Sequence, residues 1–456
     1  MNPLFPLPLP TPPPSLRPAP QLFGWGLGDA GQLGLSLDLA ENIPIIRKPR
    51  CNRYVEQKMA ENALGGVGAG LETVAAGGMH SLMVDETGTV WSCGANDNAA
   101  LGRVTIHTTD PAEPSRILEI DESTHLPNTV PVPIQSLVNE RFRAVKVVAG
   151  DSISAAISDT GALRVWGTFR RNDQGEQGPV GFSPNTMHQF TPTSLPALAG
   201  VKVVAAAAGN DHLLLLTAQG SVYTMGSGAH GQLGRRVLDR HRAHGTAPRR
   251  IVLGRVTQPA VAVGAGENHA FAVDAAGTVW GWGINARGQT GTGYRGAADQ
   301  VVAAPRRVRR LDRAALGGAT VVQIAGGSHH TLFRTSDGRV YACGIADEGQ
   351  LGLADDDPAF ADCAFPGFLP EPARVAFPDA DDPVVHIACG TNNNLAITRD
   401  GAMYAWGRQV VGELGLGHDE DVKTPTVVVR RVGNSWAAVD AACAGQHALA
   451  LLRRRT

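Results

Sequence analysis

The sequence lacks the features that would point to an enzyme or a membrane protein. Aromatic residues make up only 5% of the 456 residues, and the six cysteines form no C-x-x-C pair and no metal-ligand spacing. No apolar run approaches the roughly 18 residues of a membrane span. There is no G-x-x-x-x-G-K-[ST] phosphate loop, no H-E-x-x-H pair and no serine nucleophile elbow. The sequence therefore predicts no metal, no cofactor, no membrane contact and no covalent catalysis, with cysteines that stay reduced.

The chain also has no large excess of positive or negative charge. The chain has 40 lysines and arginines against 42 aspartates and glutamates, a net charge of −2, which argues against a generally basic surface that binds nucleic acid. Residues 1–21 contain nine prolines, and Arg17 is their only charged side chain. This composition predicts a disordered or polyproline tail, because a secretory signal needs a basic start and a long apolar core.

What the chain does have is glycine and repetition. It contains 55 glycines, well above the roughly 7% that is usual in globular proteins. A frame recurs in which a small residue is followed three positions later by a usually polar residue, eight positions later by a glycine, and six positions later by another glycine. The frame begins at Gly77, Gly150, Gly209, Gly266, Gly327, Gly390 and Ala444. The last copy is split, because its second half appears near the N-terminus as Gly24-Trp25-Gly26.

This repeat predicts the fold. Successive copies start 54 to 73 residues apart, which suits a four-stranded blade with its loops. Short β-branched and aromatic runs between glycine turns indicate hairpins, and no window has a sustained helical period. A repeat divided between the termini closes a ring and leaves no free sheet edge. We therefore predict an all-β protein: a tail over residues 1–21, then one seven-bladed β-propeller over residues 22–456, closed by pairing of the N- and C-terminal strands.

The second copy differs from the others after its closing glycine. Elsewhere a further glycine follows eight residues later, but here the interval runs from Gly167 to Gly178, three residues longer. Its polar residues and turn chemistry predict a hairpin that projects from one face of the propeller. The candidate residues are Arg170, Arg171, Asn172, Asp173, Gln174, Gly175, Glu176 and Gln177. The insert is either a tolerated surface loop or an element that enters a partner.

Comparison of the copies separates repeated positions from variable ones. The residue three positions after the start of the frame is histidine in five copies, namely His80, His212, His269, His330 and His447. A side chain that recurs in this way is better explained as a hydrogen-bond partner that holds a turn than as a catalyst. The two preceding positions vary and bring Asp151, Asp211, Glu267 and His329 to one mouth of the ring. These are either solvated rim charges or part of a binding site.

Residues 22–452 resemble the regulator of chromosome condensation family. Its general motif is the Gly-Gln-Leu-Gly repeat ending, as at Gly31–Gly34, which occurs in proteins of varied function and so indicates only the fold. More specific are Ala149–Ser152, Trp166–Arg170, Ala208–Leu213 and Gly327–Thr331, which look like the blade sequences of the family's nucleotide exchange factor for the small GTPase Ran.

The resemblance implies a guanine nucleotide exchange factor that promotes GDP release from Ran, in support of nucleocytoplasmic transport and mitotic organisation. It implies that the insert is a wedge pressed against the nucleotide site of the GTPase. It further implies that Asp151, Asp211 and one of the histidines His329 and His330 carry the exchange activity. Carboxylates at these positions can pair with the phosphate-loop lysine of the partner.

A basic loop lies between the third and fourth copies and includes Arg240, Arg242 and Arg249. The resemblance implies docking on the acidic patch of the histone octamer, whereas an ordinary solvated loop is the other interpretation. The family's basic N-terminal tail is replaced by the proline tail. We expect a monomer in the nucleus, bound to chromatin and partly cytoplasmic, with Ran and histones as partners. The alternative is an interaction scaffold without exchange activity, which would have no use for the insert with Asp151 and Asp211.

Overall fold

The structure is a computed structural model that describes residues 4–9, 17–35, 45–96, 98–105, 127–173, 176–254, 258–361, 363–365 and 367–455. Its first ten strands are β1 Gln21–Gly26, β2 Ile46–Cys51, β3 Leu71–Ala76, β4 His80–Asp85, β5 Val90–Gly94, β6 Val132–Pro133, β7 Ala144–Ala149, β8 Ile153–Ser158, β9 Leu163–Gly167 and β10 Phe169–Asp173. The next ten are β11 Glu176–Gly181, β12 Gln189–Thr193, β13 Val203–Ala208, β14 His212–Thr217, β15 Val222–Gly226, β16 Arg249–Arg250, β17 Ala260–Ala265, β18 His269–Asp274, β19 Val279–Ile284 and β20 Val301–Arg307.

The remaining strands are β21 Val321–Gly326, β22 His330–Thr335, β23 Val340–Ile345, β24 Phe368–Val375, β25 Val384–Cys389, β26 Asn393–Thr398, β27 Met403–Gly407, β28 Val422–Val429, β29 Trp436–Cys443 and β30 His447–Arg454. Helices are few and lie in the connections. The α-helices are α1 Arg53–Ala60, α2 Gln135–Asn139 and α3 Pro358–Ala361, and the 3-10 helices are Pro196–Leu198, Asp239–Thr246 and Ala297–Asp299.

The strands form seven four-stranded antiparallel sheets, one for each copy of the frame. The sheets are β3-β4-β5-β6, β7-β8-β9-β12, β13-β14-β15-β16, β17-β18-β19-β20, β21-β22-β23-β24, β25-β26-β27-β28 and β29-β30-β1-β2, which we call blades one to seven. Strands β10 and β11 form a separate hairpin inserted in blade two. The prediction of a seven-bladed propeller is confirmed.

The ring is closed in blade seven by strands from both ends of the chain. Strand β1 pairs with β30 from Gln21 opposite Leu452 to Gly26 opposite His447. Because β1 also pairs with β2 on its other side, the N-terminal segment supplies the outer half of the blade. The predicted pairing of the terminal strands is therefore confirmed.

The second and third strands of each blade form the core. Every residue of β14 is buried, because the sheet is covered by neighbouring blades on both faces. Tryptophans of the closing strands join one blade to the preceding one through their indole N–H groups. Trp166 Nε1 donates to the Ala100 carbonyl at 2.8 Å, and Trp25 Nε1 donates to the Glu413 carbonyl at 2.7 Å.

The outermost strands contain a recurring signal that the sequence analysis missed. A proline lies within six of them and directly before the seventh, β16. These prolines are Pro49, Pro133, Pro192, Pro248, Pro305, Pro372 and Pro425. Proline cannot donate a main-chain hydrogen bond, so it suits an exposed edge and discourages pairing with another chain.

The repeated histidines join neighbouring blades, as their structural interpretation predicts. His80 Nε2 lies 2.8 Å from Ser154 Oγ, and His447 Nε2 lies 3.0 Å from Ser81 Oγ. Each partner is the residue directly after the equivalent position in the next blade. Burial lowers the pKa of His80 to about 4 and that of His447 to about 3, so both rings are neutral near pH 7.

His212 departs from this arrangement. The equivalent partner position in blade four is Ala270, which has no polar group, and both ring nitrogens of His212 are buried without a hydrogen-bond partner within the described part of the chain. An unsatisfied buried polar group destabilises the folded state. The junction between blades three and four therefore lacks the side-chain hydrogen bond that His80 and His447 make at theirs.

Residues 1–21 were expected to form a disordered or polyproline tail. Of its residues, 4–9 and 17–20 are described and pack on the propeller. Leu9 is buried and donates its N–H to the Asp159 carbonyl at 2.7 Å, while Arg17 pairs with Glu86 at 2.6 Å. Apolar residues between the prolines explain this contact, because they bury surface that proline content alone does not reveal.

Candidate functional site

One mouth of the ring is lined by the turns between the first and second strands of the blades. We call this surface the mouth face. It surrounds a depression of about 460 Å³ on the propeller axis, whose lining includes Asp151, Asn210, Glu267 and Thr391. Of the four residues expected at one mouth of the ring, Asp151 and Glu267 line this depression, whereas Asp211 and His329 are not among its lining residues.

Main-chain hydrogen bonds link these turns from blade to blade. The Asp151 N–H donates to the Asn210 carbonyl at 3.0 Å, and the Asn210 N–H donates to the Glu267 carbonyl at 3.1 Å. The Glu267 N–H donates in turn to the Gly327 carbonyl at 3.0 Å. The polar side chains are therefore mounted on one connected backbone, which limits their independent movement.

The insert in blade two is a hairpin formed by β10 and β11. Arg170 pairs with Pro179 at the base of the hairpin, and Asp173 pairs with Glu176 at the other end of the two strands. The sequence predicted a projecting hairpin here, and the structure has one. It is not a repeat turn lengthened by three residues, because Gly178 lies within β11. Gln174 and Gly175, and the side chains of Arg171, Asn172, Asp173, Glu176 and Gln177, lie outside the described residues.

A second sequence signal could have revealed this difference. In other blades, a side chain of the closing strand donates a hydrogen bond to a carbonyl in the turn of the preceding blade. The donor is a tryptophan, as in Trp282 to the Gln232 carbonyl at 2.9 Å, or a cysteine, as in Cys93. Blade three has Met225 at this position, which cannot donate a hydrogen bond. Methionine is consistent with a preceding blade that offers no such turn, and the buried Phe169 packs there instead.

Two aspartates hold the base of the hairpin. The Arg170 N–H donates to Asp211 Oδ1 at 2.6 Å, and Arg170 Nη1 forms an ion pair with Asp151 Oδ2 at 3.1 Å. Asp211 is only 5% exposed, whereas a third of the Asp151 side chain is accessible to solvent. In the free protein the two aspartates therefore orient the insert, and Asp151 keeps an accessible carboxylate.

Burial has a strong effect on the acidity of Asp211. It raises the pKa of this carboxyl to about 7, against the opposing effect of the Arg170 N–H, and the nearby charges of Asp151 and Glu267 raise it further. A carboxylate that is buried without a full counter-charge binds a proton more tightly. Asp211 is therefore the side chain of this site that titrates near neutral pH.

The structure separates the two candidate histidines. His330 is fully buried and its Nε2 lies 2.7 Å from Asn394 Oδ1, so it is the inter-blade histidine of blade five. His329 is only half-buried and occupies the same turn position as Asp211. Burial lowers the pKa of His329, and the neighbouring Arg287 lowers it further. Of the two, His329 is available to a partner and His330 is not.

The basic loop lies beside the hairpin. Its 3-10 helix, Asp239–Thr246, contacts β11, and a small cavity between them is lined by Val180, Leu238 and Arg242. Arg249 lies exposed on the outer strand of blade three, and the side chain of Arg240 lies outside the described residues. The two elements meet because both follow the third strands of neighbouring blades, on the same face of the ring.

No group of three or more histidine, cysteine or acidic side chains in the described ranges is arranged to hold a metal ion. No helix there is both long and apolar enough to cross a bilayer.

Fold and repeats together define a seven-bladed propeller with a hairpin inserted in one blade. The chain matches the model of the RCC1-like domain over residues 21–450 and belongs to that family. Protein pim1 of Schizosaccharomyces pombe is 33% identical over 94% of this chain and 74% of its own length. The human Regulator of chromosome condensation is 30% identical over 94% of this chain and 89% of its own length.

Similarity to yeast proteins extends to a solved structure. Guanine nucleotide exchange factor SRM1 of Saccharomyces cerevisiae is 29% identical over 93% of this chain and 86% of its own length. The crystal structure of Prp20p from Saccharomyces cerevisiae superposes with a TM-score of 0.80 at 28% identity, covering 97% of this chain and 93% of that chain. Prp20p is described there by its binding properties to Gsp1p and histones.

Proposed function

We propose that this protein is a guanine nucleotide exchange factor that promotes GDP release from the small GTPase Ran. The observation that carries the proposal is the hairpin of blade two, held on the mouth face by Asp151 and Asp211 through Arg170. Relatives that match nearly the whole chain include a protein named as a guanine nucleotide exchange factor, which supports the same activity here.

The mechanism needs no bond-making chemistry. An exchange factor binds the nucleotide-free GTPase more tightly than the loaded one, so protein affinity and nucleotide affinity oppose each other and the coupling is reciprocal. The hairpin is the element that enters the nucleotide site and displaces the backbone that binds phosphate. Asp151, whose carboxylate is partly accessible, competes with the nucleotide phosphates for a cationic side chain of the GTPase.

The buried Asp211 has a different role from the direct ion pair with the GTPase that its sequence suggested. Its carboxylate is occupied by the Arg170 N–H, so it acts by fixing the direction in which the hairpin leaves the propeller. His329 is assigned to the contact with the GTPase, and His330 to the junction between blades five and six. The activity then depends on the insert and on the aspartates together.

The decisive variant removes the hairpin and keeps its base. Replacing residues 171–178 by Asn-Gly leaves Arg170 opposite Pro179 and connects them by a two-residue turn of the kind that hairpins favour. We expect release of labelled GDP from Ran to fall to the spontaneous rate, while the melting transition stays that of the wild type. His330→Asn is not a suitable control, because it breaks a junction. Arg236→Ala, in the neighbouring loop, is suitable. Normal exchange without the hairpin would contradict the proposal and favour the scaffold alternative.

We also propose that the basic loop binds histones and places the protein on chromatin in the nucleus. Support comes from the exposed arginine at position 249 and from the description of Prp20p by its binding to histones. Arginine suits this contact because its planar fork binds carboxylates through two hydrogen bonds. Combining Arg242→Ala with Arg249→Ala should weaken histone binding in a pull-down and leave GDP release unchanged. Unchanged histone binding would leave the loop as a solvated connection.

A further inference from the structure

Glu267 occupies a central place on the mouth face that neither the resemblance nor the proposed exchange step uses. It lies in the turn between the first and second strands of blade four and lines the axial depression. Its main chain joins blades three and five, because its carbonyl accepts the Asn210 N–H and its N–H donates to the Gly327 carbonyl. A side chain at this point can influence several blades at once.

The Glu267 carboxyl interacts with three other blades. Burial raises the pKa of this carboxyl, while the side chains of Thr391 from blade six, Ser328 from blade five and Asn210 from blade three lower it. Asn210 and Thr391 also line the axial depression with Glu267. Among the described residues, the ion pairs include no arginine or lysine that neutralises Glu267. The carboxyl therefore lies among neutral polar side chains.

Asn210 connects Glu267 with the base of the hairpin. Its N–H donates to the Glu267 carbonyl at 3.1 Å, and its side chain lowers the pKa of the Glu267 carboxyl in the depression that both residues line. The residue after Asn210 is Asp211, whose Oδ1 lies 2.6 Å from the Arg170 nitrogen. The Asn210 carbonyl also holds the N–H of Asp151, which forms the ion pair with Arg170. A shift of Asn210 would therefore disturb both contacts that orient the hairpin.

We propose that Glu267 is a positioning residue that fixes the direction of the hairpin through Asn210. The part of this inference that concerns exchange rests on the proposed function, whereas the part that concerns the hairpin does not. Glu267 acts from across the axis, in blade four, on an element that leaves blade two. A carboxylate suits this positioning role because its two oxygens can accept hydrogen bonds from several directions, which a single neutral hydroxyl cannot do.

The first test needs no GTPase. Amide hydrogen exchange at Arg170 reports directly on its hydrogen bond to Asp211. In Glu267→Ala we expect the Arg170 amide to exchange at least about 10-fold faster, in Glu267→Gln we expect most of the protection to remain, and Asp211→Ala sets the unprotected limit. Asn268→Ala changes the next residue of the same turn and serves as the matched control. Wild-type protection of Arg170 in Glu267→Ala would overturn the inference.

The second test separates positioning from binding. In labelled-GDP release from Ran, Glu267→Ala should lower kcat about 10-fold with little change in KM, and Glu267→Gln should restore most of it. A rise in KM with unchanged kcat would overturn the inference, since it would place Glu267 in the contact surface. If the wild-type protein released no GDP, the proposed function would fail, while the amide exchange result would still decide the role of Glu267. If Glu267→Ala does not fold, Thr391→Ala removes a polar side chain that lines the depression with Glu267, and it is judged by the same two measurements.

Discussion

Substitution of Asp211 is the most informative test, because we expect this side chain to support exchange and to destabilise the folded protein at alkaline pH. Asp211→Ala removes the acceptor of the Arg170 N–H, and a hydrogen bond to a charged group contributes about 1.5 to 3 kcal/mol. If this contact holds the hairpin in the orientation needed for exchange, kcat/KM for GDP release should fall about 10- to 150-fold.

Stability should respond differently. The rise of the Asp211 pKa from 3.8 to about 7 corresponds to roughly 4 kcal/mol that the buried charge costs the folded state at alkaline pH. Because the folded protein keeps this proton where the unfolded chain has lost it, the free energy of unfolding falls as pH rises from about 4 to about 7. Asp211→Asn removes that dependence and keeps an oxygen that can accept the Arg170 N–H. We therefore expect it to be more stable than the wild type at pH 8.

The assay is labelled-GDP release over a range of Ran concentrations, which gives kcat and KM, measured from pH 6 to pH 8 beside thermal melting. In the wild type, exchange should weaken as pH falls through about 7, because protonation of Asp211 weakens the acceptor of the hairpin contact. In Asp211→Asn this dependence should be absent. Wild-type kinetics in a correctly folded Asp211→Ala would refute the role assigned to the contact.

Three further predictions concern the ring itself. Ala270→Ser should give His212 the hydroxyl partner that it lacks and raise the free energy of unfolding by about 1 kcal/mol in denaturant titration, whereas no gain would argue against the unsatisfied junction. Deleting residues 1–20 should cost about 1.5 to 3 kcal/mol through the loss of Leu9 burial, and deleting residues 1–34 should cost several kcal/mol more by opening the ring. Equal melting temperatures for the two truncations would refute closure by β1. The buried histidines have lowered pKa values, so below about pH 6.5 the unfolded chain binds more protons than the folded one. In Asp211→Asn, which lacks the opposing titration of Asp211, stability should therefore decline as pH falls from about 6.5 to about 4, and a flat profile in this variant would contradict their burial.

The repeats were sufficient to predict the propeller, because each blade repeats its turns and its buried strands at a fixed spacing. The split copy likewise predicted closure, since Gly24-Trp25-Gly26 could only complete the blade that begins at Ala444. The tail was harder, because its proline content hid the apolar residues that pack on the ring. Burial of Leu9 depends on a groove formed by distant strands, which local composition does not describe.

Residues of the candidate site could be selected from the sequence, but the contacts between them could not. Asp151 and Asp211 could be selected as blade-specific charges, but a hydrogen bond from Asp211 to the Arg170 main chain depends on how blades two and three meet. The proximity of hairpin and basic loop could have been deduced, since both follow third strands of neighbouring blades. The choice of His329 over His330 needed the burial of each ring.

Exchange activity is tested most directly by the release of labelled GDP from Ran in the presence of catalytic amounts of this protein. We expect many turnovers for each molecule of the wild-type protein and none for the variant in which Asn-Gly replaces residues 171–178. Failure of the folded wild-type protein to accelerate release, or equal acceleration by the two proteins, would contradict it.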